Sequence, residues 1–384
     1  MPKNQKQNQQ KNQKPLDFIL CITVFLLLAL GITMVLSASA PSSYSQYNGN
    51  SYYYVIRQAI FALVGIALMF IISKIDYRIY KKFYKVAYYI SILALVLVVV
   101  PGIGVSVNGA KRWVDLGFGS FQPSEIAKIG LIIFYAAYLS DHKAELNSFV
   151  DGFIKPLLYL IPPIAILFFI QDHLSASIII IAITCIMMVM AGSRLKYFLT
   201  AGVAGLSAGV AGMLILAQTT DKGNFRLARL TTFINPWAEA TGDGWQVIQG
   251  LYAIGSGGLF GVGLGNSKQK YLYIPEPHND FIFAVLAEEL GFIGCLIVIS
   301  LFAILIWRGI LTAMKAKDSF GSLLAVGITS LIGLQAIMNI AVVTSSMPAT
   351  GISLPFFSYG GTALLILLCS VGILLNISRS ASKV

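Results

Sequence analysis

Apolar runs of roughly 20 residues recur along this chain, each long enough to cross the hydrocarbon of a bilayer as a helix. Of its 384 residues 57% are hydrophobic and only 11% charged, where a soluble protein carries about 25% charged residues. The expected fold is an all-α integral membrane protein. About ten transmembrane helices are predicted, near 17–38, 55–73, 84–101, 123–140, 153–170, 175–191, 198–218, 280–306, 321–343 and 361–377. Residues 1–16, rich in Lys, Gln and Asn, read as a disordered tail rather than a signal peptide. Residues 17–377 form one membrane domain and 378–384 a short second tail.

Lys and Arg set the orientation. Lys3 to Lys14, Lys74 to Lys85, Lys143 and Lys155, Arg194 and Lys196, Arg308 to Lys317, and Arg379 fall on one side of a ten-span chain. Both termini are therefore expected in the cytoplasm. A loop of about 60 residues, 219–279, lies between helices 7 and 8 on the outer side, and a loop of that length is expected to be functional. Residues 39–54 read as an ordinary exposed loop. The net charge of +11 marks cytoplasmic loops and does not call for nucleic acid. No Walker-type phosphate loop is present. Cys21, Cys185, Cys295 and Cys369 lie in apolar runs, and no C-x-x-C or histidine cluster points to zinc.

Asp280 ends the polar stretch Pro275-Glu276-Pro277-His278-Asn279 and opens an apolar helix. An ionisable group at such a lip is a functional candidate by default. Glu288 and Glu289, placed on the same helix, lie about 80° and 180° around it from Asp280 and roughly 12 Å deeper. They read as structural or cavity-lining. In the long loop, Arg226 and Arg229 share a helical face and suit a diphosphate, or else snorkel to lipid headgroups. The glycine run from Gly255 to Gly265 reads as a flexible re-entrant or hinge segment, or as a backbone phosphate nest. Pro123 starts a helix, Ser124 is placed to help cap it, and Glu125 and Lys128 share a face. They form an ion pair, or Lys128 lines a polar cavity reaching Asp280. The stretch Ser346 to Gly361 is irregular backbone between apolar helices, which survives at membrane depth only when buried in protein or lining a wet cavity.

These segments together resemble the SEDS family (shape, elongation, division and sporulation), which includes FtsW, RodA and SpoVE. The resemblance rests on Gly109-Ala-Lys-Arg-Trp113, Gln122-Pro-Ser-Glu125 with Lys128, Pro275-Glu276, His278-Asn-Asp-Phe-Ile-Phe283 with Glu288-Glu-Leu-Gly291, and Pro348 to Gly361. One departure stands at Gln171-Asp172-His173-Leu174-Ser175, where the family often has Gln-Pro-Asp-Leu-Gly. His173 draws the chain toward the division and sporulation branch rather than the elongation branch.

The resemblance implies a glycosyltransferase of the bacterial plasma membrane that polymerises lipid II on the outer face. It implies a class B penicillin-binding protein as partner, alongside other division or elongation proteins. Asp280 matches the family's catalytic Asp. Candidates to meet the diphosphate are Arg226, Arg229, Lys270 and Lys128, with Lys111 and Arg112. Gln122, Glu125, His278, Glu288, Ser358 and Tyr359 are supporting residues. A divalent cation, Mg or Mn, is a candidate cofactor, and no organic cofactor is expected. A lipid II transporter, an elongation-type (RodA-like) polymerase and a non-catalytic division scaffold are the alternatives.

Overall fold

The computed structural model describes residues 15–107, 110–115, 120–202, 205, 232–242, 244–271 and 273–380. The elements in chain order are α1 (Phe18–Gln46), α2 (Tyr53–Ile72), α3 (Arg78–Lys82), α4 (Tyr84–Val96), β1 (Gly104–Val107), β2 (Ala110–Asp115), β3 (Ser120–Phe121), α5 (Pro123–Asp141), α6 (Lys155–Ala165), α7 (Leu174–Ala191), α8 (Trp245–Gly257), α9 (Ile282–Met314), α10 (Ser319–Val343) and α11 (Gly361–Ser380). π-helical turns at Val150–Ile154 and Ile166–Ile170 extend α6 at both ends.

Helices stand at nine of the ten expected places, and most of the expected span 198–218 lies outside the described residues. Seven stretches are long and apolar enough to cross a membrane. The other two are α4, which is short, and α5, whose first turns carry Glu125 and Lys128. The chain is a multi-pass membrane protein. Helix α10 forms the centre: 67% of its most apolar window is buried, against 22% for the peripheral α2. It packs on α5, α7 and α9, while α2 lies along α11 and α1 along α9.

Polar side chains fix the helix ends. Asp17 caps α1 through the Leu20 amide at 3.1 Å and pairs with Arg308 of α9. Asp318 caps α10 through the Gly321 amide at 2.7 Å and accepts from Tyr77 and Arg78. Asn376 of α11 ties the turn after α2, accepting from the Tyr77 amide and donating to the Ser73 carbonyl.

Four local features depart from the sequence reading. Helix α1 runs on to Gln46, eight residues into the stretch expected as an exposed loop, with Ser39, Ser42 and Ser43 buried. Helix α8 stands within the long loop 219–279. The stretch after α4 forms a small antiparallel sheet, β1-β2-β3, within an otherwise helical protein. Helix α9 is interrupted at Gly291, where φ is +67°. The glycine run after α8 fills that break. The amides of Val262 and Gly263 donate to the carbonyls of Glu288 and Glu289, and those of Phe292 and Ile293 donate to Gly258 and Leu259. A Cβ on Gly261 would sit 2.1 Å from the Glu289 carbonyl oxygen, so the approach requires glycine. The run is therefore a re-entrant segment, and its Val262 and Gly263 amides are committed to carbonyls rather than to a phosphate. It satisfies backbone that a break at membrane depth would leave unpaired.

Candidate active site

The turn before α9 and the irregular segment before α11 are bound into one junction. The Tyr359 amide donates to the His278 carbonyl at 2.9 Å. The Ser358 hydroxyl donates to the Asn279 carbonyl at 2.8 Å and accepts from the Leu354 amide at 2.7 Å. Asn339, buried on α10, donates to the carbonyls of Asp280 at 2.8 Å and Ile352 at 2.6 Å. From α2, the buried Gln58 donates to the Ser358 carbonyl and accepts from the Gly360 amide, both at 3.2 Å. Two amide side chains in apolar helices thus pin both segments. The backbone they hold is unusual: Glu276 and Phe356 have φ of +44° and +68°.

Asp280 lies between these segments, half-buried, in the turn before α9. A Cβ on Gly351 would stand 2.9 Å from its Oδ2, so glycine is what lets the carboxylate lie against the backbone there. His278 is buried against the rings of Tyr54 and Tyr359, at centroid distances of 4.4 and 5.8 Å. Burial lowers its pKa to about 4, Glu276 acting in the opposite sense, and its Nδ1 has no hydrogen-bond partner.

A second polar cluster lies beside the break in α9. Glu289 accepts from Lys270 at 2.8 Å and from Ser37 of α1 at 2.6 Å. Lys270 also donates to Ser37 at 2.9 Å and to the Gly265 carbonyl at 2.6 Å. Glu288 accepts from the Ser267 hydroxyl and from the amides of Lys268 and Gln269.

A third cluster lies under the sheet. Lys128 and Glu125 pair at 2.8 Å, with the Lys128 side chain 3% exposed. Arg112 on β2 donates to the carbonyls of Gln171 and Asp172, at the end of the α6 segment. His173 is buried, its Nδ1 has no hydrogen-bond partner, and its pKa is lowered to about 3 by burial first, then by Arg112 and Lys128.

The family model described as "Cell cycle protein", covering FtsW, RodA and SpoVE, matches residues 18–383. The chain belongs to this family. Stage V sporulation protein E of Bacillus subtilis is 43% identical over 363 residues, covering 94% of this chain and 97% of the relative. A probable peptidoglycan glycosyltransferase FtsW of Coxiella burnetii is 41% identical over 366 residues, covering 94% and 96%. Among solved structures, a peptidoglycan synthase complex that coordinates polymerization and crosslinking matches with a TM-score of 0.78 at 27% identity, covering 95% and 98%. RodA of Thermus thermophilus matches with a TM-score of 0.68 at 26% identity, covering 96% and 98%. The division and sporulation relatives stand well above this RodA in identity, on the side of the family to which His173 pointed.

Within this FtsW/RodA/SpoVE scaffold, the residues singled out from the sequence separate into groups. Asp280, His278, Ser358 and Tyr359 meet at the junction. Lys270 does not join them in this conformation: its three ammonium hydrogens serve Glu289, Ser37 and Gly265. Lys128 is the ion-pair partner of Glu125, and the crevice beside it is lined by Leu131, Ile132 and Ile180 among other apolar side chains. The ion pair is one of the two arrangements expected for Lys128. Arg112 braces the sheet, and Lys111 is exposed on it. Gln122 is the N-cap residue of α5, with Pro123 in the first turn, while the Ser124 hydroxyl is buried without a partner rather than capping. Glu288 and Glu289 hold the 265–270 segment. The angles reckoned from Asp280 do not apply, because α9 begins at Ile282. Arg226 and Arg229 lie outside the described residues. Gln58 and Asn339 escaped the sequence reading; a lone amide in an apolar run was the available signal.

Among the described residues, no group of three or more His, Cys, Asp or Glu is arranged to hold a metal ion. Asp280 can supply one carboxylate. That suits Mg, which commonly binds one or two carboxylates together with substrate phosphates.

Proposed function

We propose that this chain is a peptidoglycan glycosyltransferase that polymerises lipid II on the outer face of the plasma membrane, in division or sporulation. The observation that carries this reading is Asp280, a carboxylate at the junction of two segments pinned by Asn339, Ser358 and Gln58. The names of its relatives favour a transferase over a transporter or a scaffold. The distribution of Lys and Arg supports cytoplasmic termini and an outward-facing site.

In this reading Asp280 removes the proton of an acceptor hydroxyl. The oxygen attacks the anomeric carbon of the donor sugar. The new glycosidic bond forms as the carbon–oxygen bond to the diphosphate breaks, with inversion. The electron pair leaves with the undecaprenyl diphosphate. That group departs without a second protein acid, so one base is enough, unlike the two carboxylates of glycosidases. A divalent cation, when bound, would be carried by Asp280 and the substrate's phosphates and would neutralise charge on the leaving group. A class B penicillin-binding protein is the proposed partner, gripping the outer side to align the long loop.

The test is the purified protein incubated with lipid II, alone and with its cognate class B penicillin-binding protein, with products resolved by length. Glycan strands, made faster with the partner, are expected. Unchanged lipid II under both conditions would contradict the reading.

A further inference from the structure

Among the described residues, the two buried lysines are committed to carboxylates. Lys128 serves Glu125 and Lys270 serves Glu289. Arg57, the fifth residue of α2, is different. Its side chain is exposed, and among the described residues it forms no ion pair with Asp or Glu. It is nonetheless held in place. Its guanidinium carbon lies 4.3 Å from the Tyr53 ring centroid, and Tyr53 is stacked on Tyr47 at 3.5 Å. It also lies beside the phenol of Tyr359: burial raises that hydroxyl's pKa, and Arg57 works against the rise.

The neighbours of Arg57 are those of the junction. The Tyr359 amide donates to the His278 carbonyl, two residues before Asp280. Gln58, next in the chain, binds Ser358 and Gly360. The N-terminal end of α2 is thereby registered against the segments that position Asp280. A fixed, uncompensated guanidinium in such a place suits a planar, multi-donor grip on a phosphate.

We propose that Arg57 binds the phosphate of a lipid-linked substrate at this junction and donates to the diphosphate as it departs. This rests on the transferase reading above. When the bond from the anomeric carbon to the diphosphate oxygen breaks, its electron pair stays on that oxygen, and the Arg57 N–H groups stabilise the added charge. The same chemistry would also hold the headgroup phosphate of a bulk phospholipid.

Two media separate these sources: dodecyl maltoside micelles, which carry no phosphate, and phospholipid nanodiscs. Lipid II polymerisation is measured for the wild type, Arg57→Lys and Arg57→Gln, with folding followed by size exclusion and thermal unfolding. In micelles, Arg57→Gln is expected to raise KM for lipid II about tenfold to a hundredfold, with Arg57→Lys between it and the wild type. Inorganic pyrophosphate should compete with lipid II in the wild type and not in Arg57→Gln. An unchanged KM and unchanged competition in micelles, with a defect only in nanodiscs, would show a headgroup anchor and overturn the proposal. If Arg57→Gln does not fold, Arg57→Lys decides, and wild-type KM in that variant overturns it. If the wild type makes no polymer even with its class B penicillin-binding partner added, the transferase reading fails by itself. Binding of fluorescent lipid II in micelles then decides Arg57: affinity lost in Arg57→Gln upholds the assignment, and equal affinity ends it.

Discussion

One nitrogen of Asn339 donates to the carbonyl oxygens of both Asp280 and Ile352, at 2.8 and 2.6 Å. A single buried amide on the central helix therefore holds the turn bearing the candidate base against the segment it faces. Asn339→Leu keeps the bulk and removes the donor. The two carbonyls then lose their partner, which costs about 1–3 kcal/mol of stability. Turnover should fall at least tenfold while KM for lipid II changes little. Steady-state kinetics with thermal unfolding in detergent would check both, and wild-type turnover in a folded variant would remove Asn339 from the account.

Gly351 tests how closely Asp280 must lie against that segment. In Gly351→Ala the new methyl would stand 2.9 Å from the Asp280 carboxylate oxygen, the movable end of a side chain. The carboxylate shifts and the fold remains. The expected result is a fall in kcat of about tenfold or more with an almost unchanged melting temperature, since small displacements at a reacting group are costly.

The pair Lys270–Glu289 should behave as a buried ion pair. Removing one partner leaves a charge unpaired, and Lys270→Met or Glu289→Gln alone should cost about 3–5 kcal/mol. The double variant should be less destabilised than the sum of the single changes. Additive losses in a double-mutant cycle would show that the 2.8 Å contact carries no coupling.

Acid should loosen the protein through its two buried histidines. The folded pKa of His278 is lowered to about 4 and that of His173 to about 3, against about 6.5 when unfolded. The unfolded chain thus binds more protons below pH of about 6.5, so stability is full above that value and falls as pH drops. Each histidine contributes roughly 1.4 kcal/mol per pH unit until its folded pKa is reached. Melting temperatures measured from pH 7.5 to 5 should decline, and His278→Phe should make the decline shallower. A flat profile would contradict the burial argument.

Legibility in the sequence followed the range of the interactions. The apolar runs marked nine described helices because bilayer thickness acts on each run locally. The motif around Asp280 and the segment from Ser346 to Gly361 were both visible as irregular backbone between apolar helices. Their attachment was not, because it depends on Gln58 and Asn339, which lie far away in the chain. Lys270 carries the same charge whether it meets a diphosphate or a carboxylate, and only the fold brings Glu289 and Ser37 to it. The helical-wheel reckoning from Asp280 failed because the helix starts two residues later, and the Gly291 break was hidden inside an apolar run. The strands β1 to β3, of four, six and two residues, are too short for an alternating pattern to stand out.

The central claim is that Asp280 is the base. Asp280→Asn keeps volume and polarity and deletes basicity. The deciding measurement is lipid II polymerisation by the purified variant with its penicillin-binding partner, after confirming a monodisperse protein with wild-type thermal stability. Loss of glycan strands from that folded variant is the predicted result. Strands formed at a near-normal rate would contradict the mechanism.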